Sequence, residues 1–372
     1  MLKQRPKPLW LVIILDILLT GIVLVVFAYF HHVRPSRMES ENIIIARPTA
    51  PATVSAQETP APEATLTPAS TAQPEETPTL QETPSPERTP EPTQTPEPEP
   101  DPPGVFANKF ADKFTQGEVI RADGEDGTYR YQSKNLNIAV TKDTLTFGNG
   151  ASVYECTYYI TDIYISNINC FQTCFAQDQY GSGFYEWTQS MAARTNAVVA
   201  INGDYYGNRQ NGVVIRNGVM YRSKHSTFDA CVINWDGTML TYQSKEWDSA
   251  TLVKNGAYQA WSFGPELLDE NGRPCKSFNA TNAVKKKNPR TAIGYFEPGH
   301  YCFVTVDGRS ETSRGITFEA LAQLMSDIGC VQAYNLDGGE STMLTWGDRV
   351  INEPSKDGRK ISDAVMIVDV DA

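Results

Sequence analysis

The sequence predicts an α+β domain, a mixed and largely antiparallel sheet with a few helices, standing behind an apolar N-terminal helix and a long polar linker. Three observations carry this reading. Apolar runs occur in pairs joined by tight glycine-containing turns, two isolated segments have helical periodicity, and composition changes abruptly near residue 104.

Leu9 to Phe30 is nearly unbroken apolar sequence, interrupted by Asp16 and Thr20. Its length suits one membrane-spanning helix of ~20 residues, whereas a cleavable signal has an apolar core of about 7 to 15 residues and a small-residue cleavage site. Residues 1–30 are therefore read as a tail and an uncleaved anchor. Lys3, Arg5, Lys7 and the amino terminus precede the helix, against Arg34 and Arg37 after it, which favours a single-pass protein of the cell membrane with a cytoplasmic N-terminus and the remainder outside.

Residues 31–103 are assigned to a disordered stalk. From about Arg47 the chain is dominated by Pro, Thr, Glu and Ala, and it has almost no large apolar residues with which to bury a core. At ~3.1 Å per residue a wholly polyproline-like segment would reach on the order of 150 Å, enough to hold a domain out into a cell wall. The net charge of −12 falls partly here and argues against a nucleic-acid partner. Seven scattered cysteines show no metal-ligand spacing, and their odd number leaves at least one thiol outside any disulfide.

Residues 104–372 form the predicted domain, with its motif-bearing part at 196–372. Val213 to Tyr221 turns at Asn217-Gly218, Cys231 to Tyr242 at Asp236-Gly237, and Arg290 to Val306 at Glu297-Pro298-Gly299; each reads as an antiparallel hairpin. One helix is expected from about Phe184 to Arg194. A second runs from Phe318 to Ile328, capped by Thr317 and stopped by Gly329, with Phe318, Leu321, Leu324, Met325 and Ile328 as its apolar stripe. Final strands are expected near Ser341 to Trp346 and Ala364 to Val370.

Four polar turns sit at the ends of apolar strands. Val198 to Ile201 leads into Asn202-Gly203-Asp204-Tyr205-Tyr206-Gly207, Phe303 to Val306 into Asp307-Gly308-Arg309-Ser310, and Val331 to Leu336 into Asp337-Gly338-Gly339-Glu340-Ser341-Thr342, while Asn288-Pro289-Arg290-Thr291 precedes Ala292-Ile293-Gly294. Such loops on a rigid sheet are where ligand and catalytic groups concentrate. Gly338 and Gly339 would let a ligand approach peptide N–H groups beside the Asp337 carboxylate.

These segments, with Gly212-Val213-Val214-Ile215-Arg216-Asn217-Gly218 and Gly315-Ile316-Thr317, resemble in order the phosphodiester glycosidase family. Two positions depart from the family pattern, which carries glycine where Asp204 stands and a small residue where Glu340 stands. The resemblance implies hydrolysis of a sugar joined through its anomeric carbon to a phosphodiester, in a cell-surface glycopolymer or exopolysaccharide. That chemistry needs a cation on the phosphate, for which planar guanidinium is well shaped, and a carboxylate to activate water or stabilise an oxocarbenium-like centre. Asp337 and Asp307 are the leading carboxylates, Asp204 the third, and Arg290 and Arg309 the phosphate ligands. Asn202, Gly203, Tyr206, Gly338, Gly339, Ser341 and Thr342 are assigned to the substrate. Two other readings stay open: a metal-dependent phosphodiesterase in which Asp204, Asp307 and Asp337 converge on a calcium ion, and a non-catalytic glycopolymer-binding module.

Overall fold

The computed structural model describes residues 9–29, 34–48 and 102–370. The N-terminal tail at 1–8 and the Pro/Thr/Glu-rich stretch at 49–101 lie outside the described residues. Leu9–Ala28 is one helix, and its span Trp10–Ala28, with mean hydropathy 3.0 and no buried residue, is long and apolar enough to cross a membrane.

Every strand ladder among the described residues is antiparallel, so the sheets are more uniform than the mixed sheet expected. The largest sheet has seven strands, in the order Gln332–Asn335, Arg290–Glu297, His300–Val306, Tyr154–Ile165, Leu136–Phe147, Tyr129–Gln132 and Ile120–Asp123. A five-stranded sheet centres on Ala197–Asn202 and Asp363–Val368, and a six-stranded sheet contains the Gly212–Arg216/Val219–Lys224 and Ala230–Asn234/Met239–Tyr242 hairpins. The three predicted hairpins all form. The second predicted helix spans Phe318–Asp327 with Thr317 Oγ1 accepting from Ala320 N, and the first is shorter than expected, Thr188–Arg194.

Strand Arg290–Glu297 explains why its sequence is apolar on both faces. Successive side chains alternate across a strand, so Ile293 and Tyr295 enter one core with Tyr301, Phe303 and Trp346, while Ala292 enters a second with Val304, Phe318, Leu321 and Met325. The Phe318–Asp327 helix thus covers one sheet face. Its close approach requires Gly294, where a Cβ would lie 2.5 Å from Cys330 Sγ and 2.7 Å from Met325 Cε. Cys156, Cys174, Cys231, Cys275, Cys302 and Cys330 are free thiols.

Part of the predicted stalk is built into the domain. Ser36–Arg37 pairs with Gly181–Ser182, and Ile43–Ile44 pairs with Val219–Met220 as the edge strand of the six-stranded sheet. Leu136–Phe147 and Tyr154–Ile165, each of 12 residues, form a long hairpin in the region before residue 196.

Candidate active site

Two strand ends meet at the site. Asn202 ends the central strand of the five-stranded sheet, and Asp337 follows the edge strand Gln332–Asn335 of the seven-stranded sheet. Asn202 stitches the sheets together: its Nδ2 donates to Asp337 O at 2.7 Å, and its Oδ1 accepts from Thr291 Oγ1 at 2.7 Å and Met343 N at 3.3 Å. Fully buried and with its amide committed, Asn202 is scaffold here rather than a substrate contact.

Asp337 lines two adjoining cavities. The first, about 400 Å³, is walled by Phe263, Asn288, Arg290, Arg309, Asn335, Gly338, Gly339, Glu340 and Arg359 together with Asp337. The second, about 300 Å³, is walled by Tyr185, Asp204, Tyr205, Ser341, Arg359 and Lys360 among others, and also reaches Asp337. The shared residues are Asp337 and Arg359. The carboxylate is held by three donors: Oδ2 accepts from Arg359 Nη2 at 2.7 Å and Ser341 Oγ at 2.6 Å, and Oδ1 from Gly338 N at 2.9 Å. Arg359 Nε also donates to Ser341 Oγ at 2.6 Å.

The glycines act differently from the expectation. Gly338 N is bonded to Asp337 and Gly339 N to Pro289 O at 3.1 Å, so neither is an open anion donor. They are glycines because of crowding. A Cβ at Gly338 would meet Pro289 O at 2.6 Å, and Gly339 has φ 66° with the Arg309 guanidinium 3.0 Å from where a Cβ would stand.

The two predicted phosphate ligands separate sharply. Arg309 is exposed on the first cavity and donates to Asn288 Oδ1 at 2.8 Å, a neutral acceptor that leaves its charge available. Arg290 is buried and stacks 3.9 Å over the Phe318 ring. Its Nε donates to Ile316 O at 3.1 Å, and its Nη2 to Val284 O at 2.8 Å and Lys286 O at 2.7 Å. Burial pushes its guanidinium down to about 10. Arg290 therefore ties residues 284–286 to the sheet, at the back of the cavity that Arg309 faces.

The three aspartates are not gathered. Asp204 reaches the second cavity but accepts from Arg216 Nη2 at 3.1 Å, Tyr206 N at 3.1 Å and Ser262 N at 3.2 Å. Arg216 also donates to Asp363 Oδ2 at 2.8 Å, and all three side chains are at most 1% exposed. One guanidinium thus faces two buried carboxylates, and burial raises Asp363 well above the usual carboxylate range. Gly203 is required above it, since a Cβ would stand 2.4 Å from Asp363 Oδ1. Asp307 lines neither cavity; it accepts from Asn352 Nδ2 at 2.8 Å and Glu353 N at 3.2 Å, and burial raises it to about 6. No group of three His, Cys, Asp or Glu side chains suited to a metal is assembled among the described residues.

Tyr206 is buried, stacked on Tyr180 with ring centroids 5.4 Å apart, and Thr342 is buried as well. Of the predicted set, the cavities thus bring together Asp337, Arg309, Ser341, Gly338 and Gly339 directly, with Asp204 and Arg290 as walls. Sequence reasoning missed Arg359, Asn288, Tyr205 and Phe263. The only local signal for Arg359 is the basic loop Lys356-Asp357-Gly358-Arg359-Lys360 between polar turns.

A larger cavity of about 580 Å³ shares no wall with these and contains Asp229, Glu266 and Asp269. Its carboxylates disfavour an anionic ligand, and its Arg273 is already paired with Asp269 at 3.1 Å. The guanidinium-lined pair of cavities is the better candidate, although each of the two is smaller.

Residues 195–368 match the family model for phosphodiester glycosidases. Over 198 residues it is 35% identical to the SPbeta prophage-derived uncharacterized protein YomE of Bacillus subtilis (strain 168), a match covering 50% of this chain and 30% of that protein. The chain thus spans under a third of that relative's length. Among solved structures it is similar to the catalytic domain of zebrafish N-acetylglucosamine-1-phosphodiester alpha-N-acetylglucosaminidase, auto-inhibited by pro-peptide, with TM-score 0.54 and 19% identity, over 74% of this chain and 96% of that one. That likeness concerns the fold.

Proposed function

We propose that the domain is a hydrolase that cleaves the glycosidic bond between an anomeric carbon and a phosphodiester. The observation that carries this is one carboxylate, Asp337, bonded to Arg359 at the junction of two cavities, one of which Arg309 also lines. A sugar and a phosphate need adjacent compartments, and cations belong on the phosphate side.

Arg309 holds the phosphate as a charge-assisted donor. Phosphate entering the first cavity also competes with Asp337 for Arg359, so substrate binding frees carboxylate lone pairs to take a proton from water or to stabilise positive charge at the anomeric carbon. The bond between that carbon and the bridging oxygen breaks, water oxygen bonds to the carbon, and the bridging oxygen leaves on a phosphomonoester. A phosphate leaves without strong proton donation, which suits a site whose other nearby carboxylates are engaged: Asp204 with Arg216, and Glu340 with Lys356 at 2.7 Å. Tyr205 and Phe263 offer apolar faces to a sugar ring, and Asn335 Oδ1, buried without a hydrogen-bond partner among the described residues, offers an acceptor.

The Leu9–Ala28 helix is read as a membrane anchor with the domain outside, which makes a phosphate-linked glycopolymer or exopolysaccharide of the cell surface the natural substrate class. Turnover of a sugar-1-phosphodiester by the wild type, its loss in Asp337→Asn and its persistence in chelator test the reading. Activity abolished by chelator would favour a metal-dependent phosphodiesterase, and binding without turnover would favour a recognition module.

A further inference from the structure

The described residues that flank the Pro/Thr/Glu-rich stretch on either side lie together on the domain. On the exit side, Ile45 N donates to Gly218 O at 2.8 Å, Ile45 O accepts from Trp235 Nε1 at 2.9 Å, and the Ile45 side chain, 2% exposed, packs with Val213, Ile215 and Met220. Arg47 Nε then donates to Pro103 O at 3.0 Å, across 56 residues of sequence. On the return side, Gly104 is pressed so closely onto the same tryptophan that a Cβ would stand 2.2 Å from Trp235 O and 2.9 Å from Arg47 Nη2. Gly104 O accepts from Ile168 N at 2.9 Å and Phe106 N donates to Ser166 O at 2.7 Å, which continues the chain into the core.

The segment before the exit is bound along its length. Besides its two short strands, Glu41 N donates to Tyr221 O at 3.1 Å, and the Glu41 carboxylate accepts from Ser223 N at 2.7 Å and Ser223 Oγ at 2.8 Å. The helix ends at Ala28 and the first paired residue is Ser36, eight residues on, which a fully extended chain spans in at most about 29 Å.

We infer that residues 49–101 are a closed excursion from the domain rather than a spacer between anchor and domain, and that residues 34–48 are a structural part of the domain that clamps it directly to the N-terminal helix. The domain's reach from the helix is set by residues 29–35 alone. Joined to the anchor reading, this confines the site to glycans at the membrane surface, whatever the length of the Pro/Thr/Glu-rich stretch. It also means that a cut in that stretch does not separate the two parts, because the paired strands and the buried Ile45 hold the fragments together.

The test uses the full chain in detergent, tagged at the N-terminus, in two versions that each carry one site for a specific protease. One site replaces residues around Thr79, and the other replaces His31-His32. After complete cleavage at the first site, the domain should stay on the affinity resin with the N-terminal fragment and elute only in denaturant. Cleavage at the second should release it at once. A third version, with the Thr79 site and Ile45→Asp with Arg47→Ala, should release the domain after cleavage, in folded form by its unchanged far-ultraviolet circular dichroism. Free elution of the domain after cleavage near Thr79 in the otherwise unaltered chain would overturn the inference, as would retention after cleavage at 31–32.

Discussion

The Arg359 guanidinium lies 2.7 Å from Asp337 Oδ2 and shares Ser341 Oγ with it. The pair places a partly exposed cation on a largely buried carboxylate that borders both cavities, with the Arg359 side chain 40% exposed and that of Asp337 12%. A salt bridge this open contributes little to stability, so its arrangement matters chiefly for what replaces it when an anion binds.

Asp337→Asn keeps the shape and removes the charge. It should lower kcat on a sugar-1-phosphodiester by a factor on the order of a hundred or more while the melting temperature moves little. Arg359→Ala should raise KM and lower kcat together, since it removes both a phosphate contact and a donor that orients the carboxylate. A wild-type rate in Asp337→Asn would remove the carboxylate from the mechanism.

Arg309 and Arg290 should separate in their effects. Arg309→Ala removes a charge-assisted phosphate contact and should lower kcat/KM for phosphodiesters by roughly 10- to 100-fold, with no change in melting and little effect on a sugar carrying a neutral leaving group. Arg290→Ala leaves the carbonyls of Val284, Lys286 and Ile316 without their donor and opens space beside Phe318. It should cost about 2–4 kcal/mol of stability and reduce activity on both kinds of substrate equally. Paired denaturant melts and kinetics on the two substrates decide between these roles.

Asp307 has a pH signature in stability. Its folded value, raised to about 6 from 3.8 by burial, means the native state binds the extra proton between these values. Its contribution is therefore fully present below about pH 4 and is lost as pH rises to 6, by on the order of 3 kcal/mol at most. Asp307→Asn should abolish that fall, seen as the difference between wild-type and variant denaturation midpoints across pH 4 to 7. A difference that stays constant across this range would show that Asp307 titrates normally.

Replacing residues 50–100 by a linker of about six Gly and Ser residues should leave the fold intact, because Arg47 and Pro103 are already in contact. Shortening a closed loop about eightfold reduces its closure entropy by roughly 2 kcal/mol, so the variant should melt higher than the wild type. A fragment that starts at Phe106 should instead melt lower than one that starts at residue 34 with the same short linker, for lack of Ile45 and the edge strand. Calorimetry on the four chains checks the order.

What was legible in the sequence was local. Asp337-Gly338-Gly339 announced a site because a buried strand ending in Asp and two glycines is a compact signal, and the Asn217-Gly218 and Asp236-Gly237 turns fixed their hairpins. Tyr154–Ile165 is rich in Tyr, Thr and Ile with alternating burial, so the long hairpin at 136–165 carried a readable pattern as well. Arg359 was not legible, since its partner Asp337 is 22 residues away and nothing nearby distinguishes it from Lys356 or Lys360. Arg290 and Arg309 looked equivalent because sequence shows residue type and not whether a guanidinium faces carbonyls or a cavity. Composition marked the Pro/Thr/Glu-rich stretch as unable to form a core, yet it says nothing of whether the two ends meet. Strands of two residues, Ser36–Arg37 and Ile43–Ile44, are too short to leave a periodic trace.

The central claim is that the bond broken joins the anomeric carbon to oxygen, and the most direct measurement is hydrolysis of a sugar-1-phosphodiester in ¹⁸O-labelled water with mass analysis of both products. The account predicts one labelled oxygen on the anomeric carbon of the released sugar and none on the phosphomonoester, at a rate that collapses in Asp337→Asn. Label in the phosphate would show that the phosphorus–oxygen bond is cut, and would contradict it.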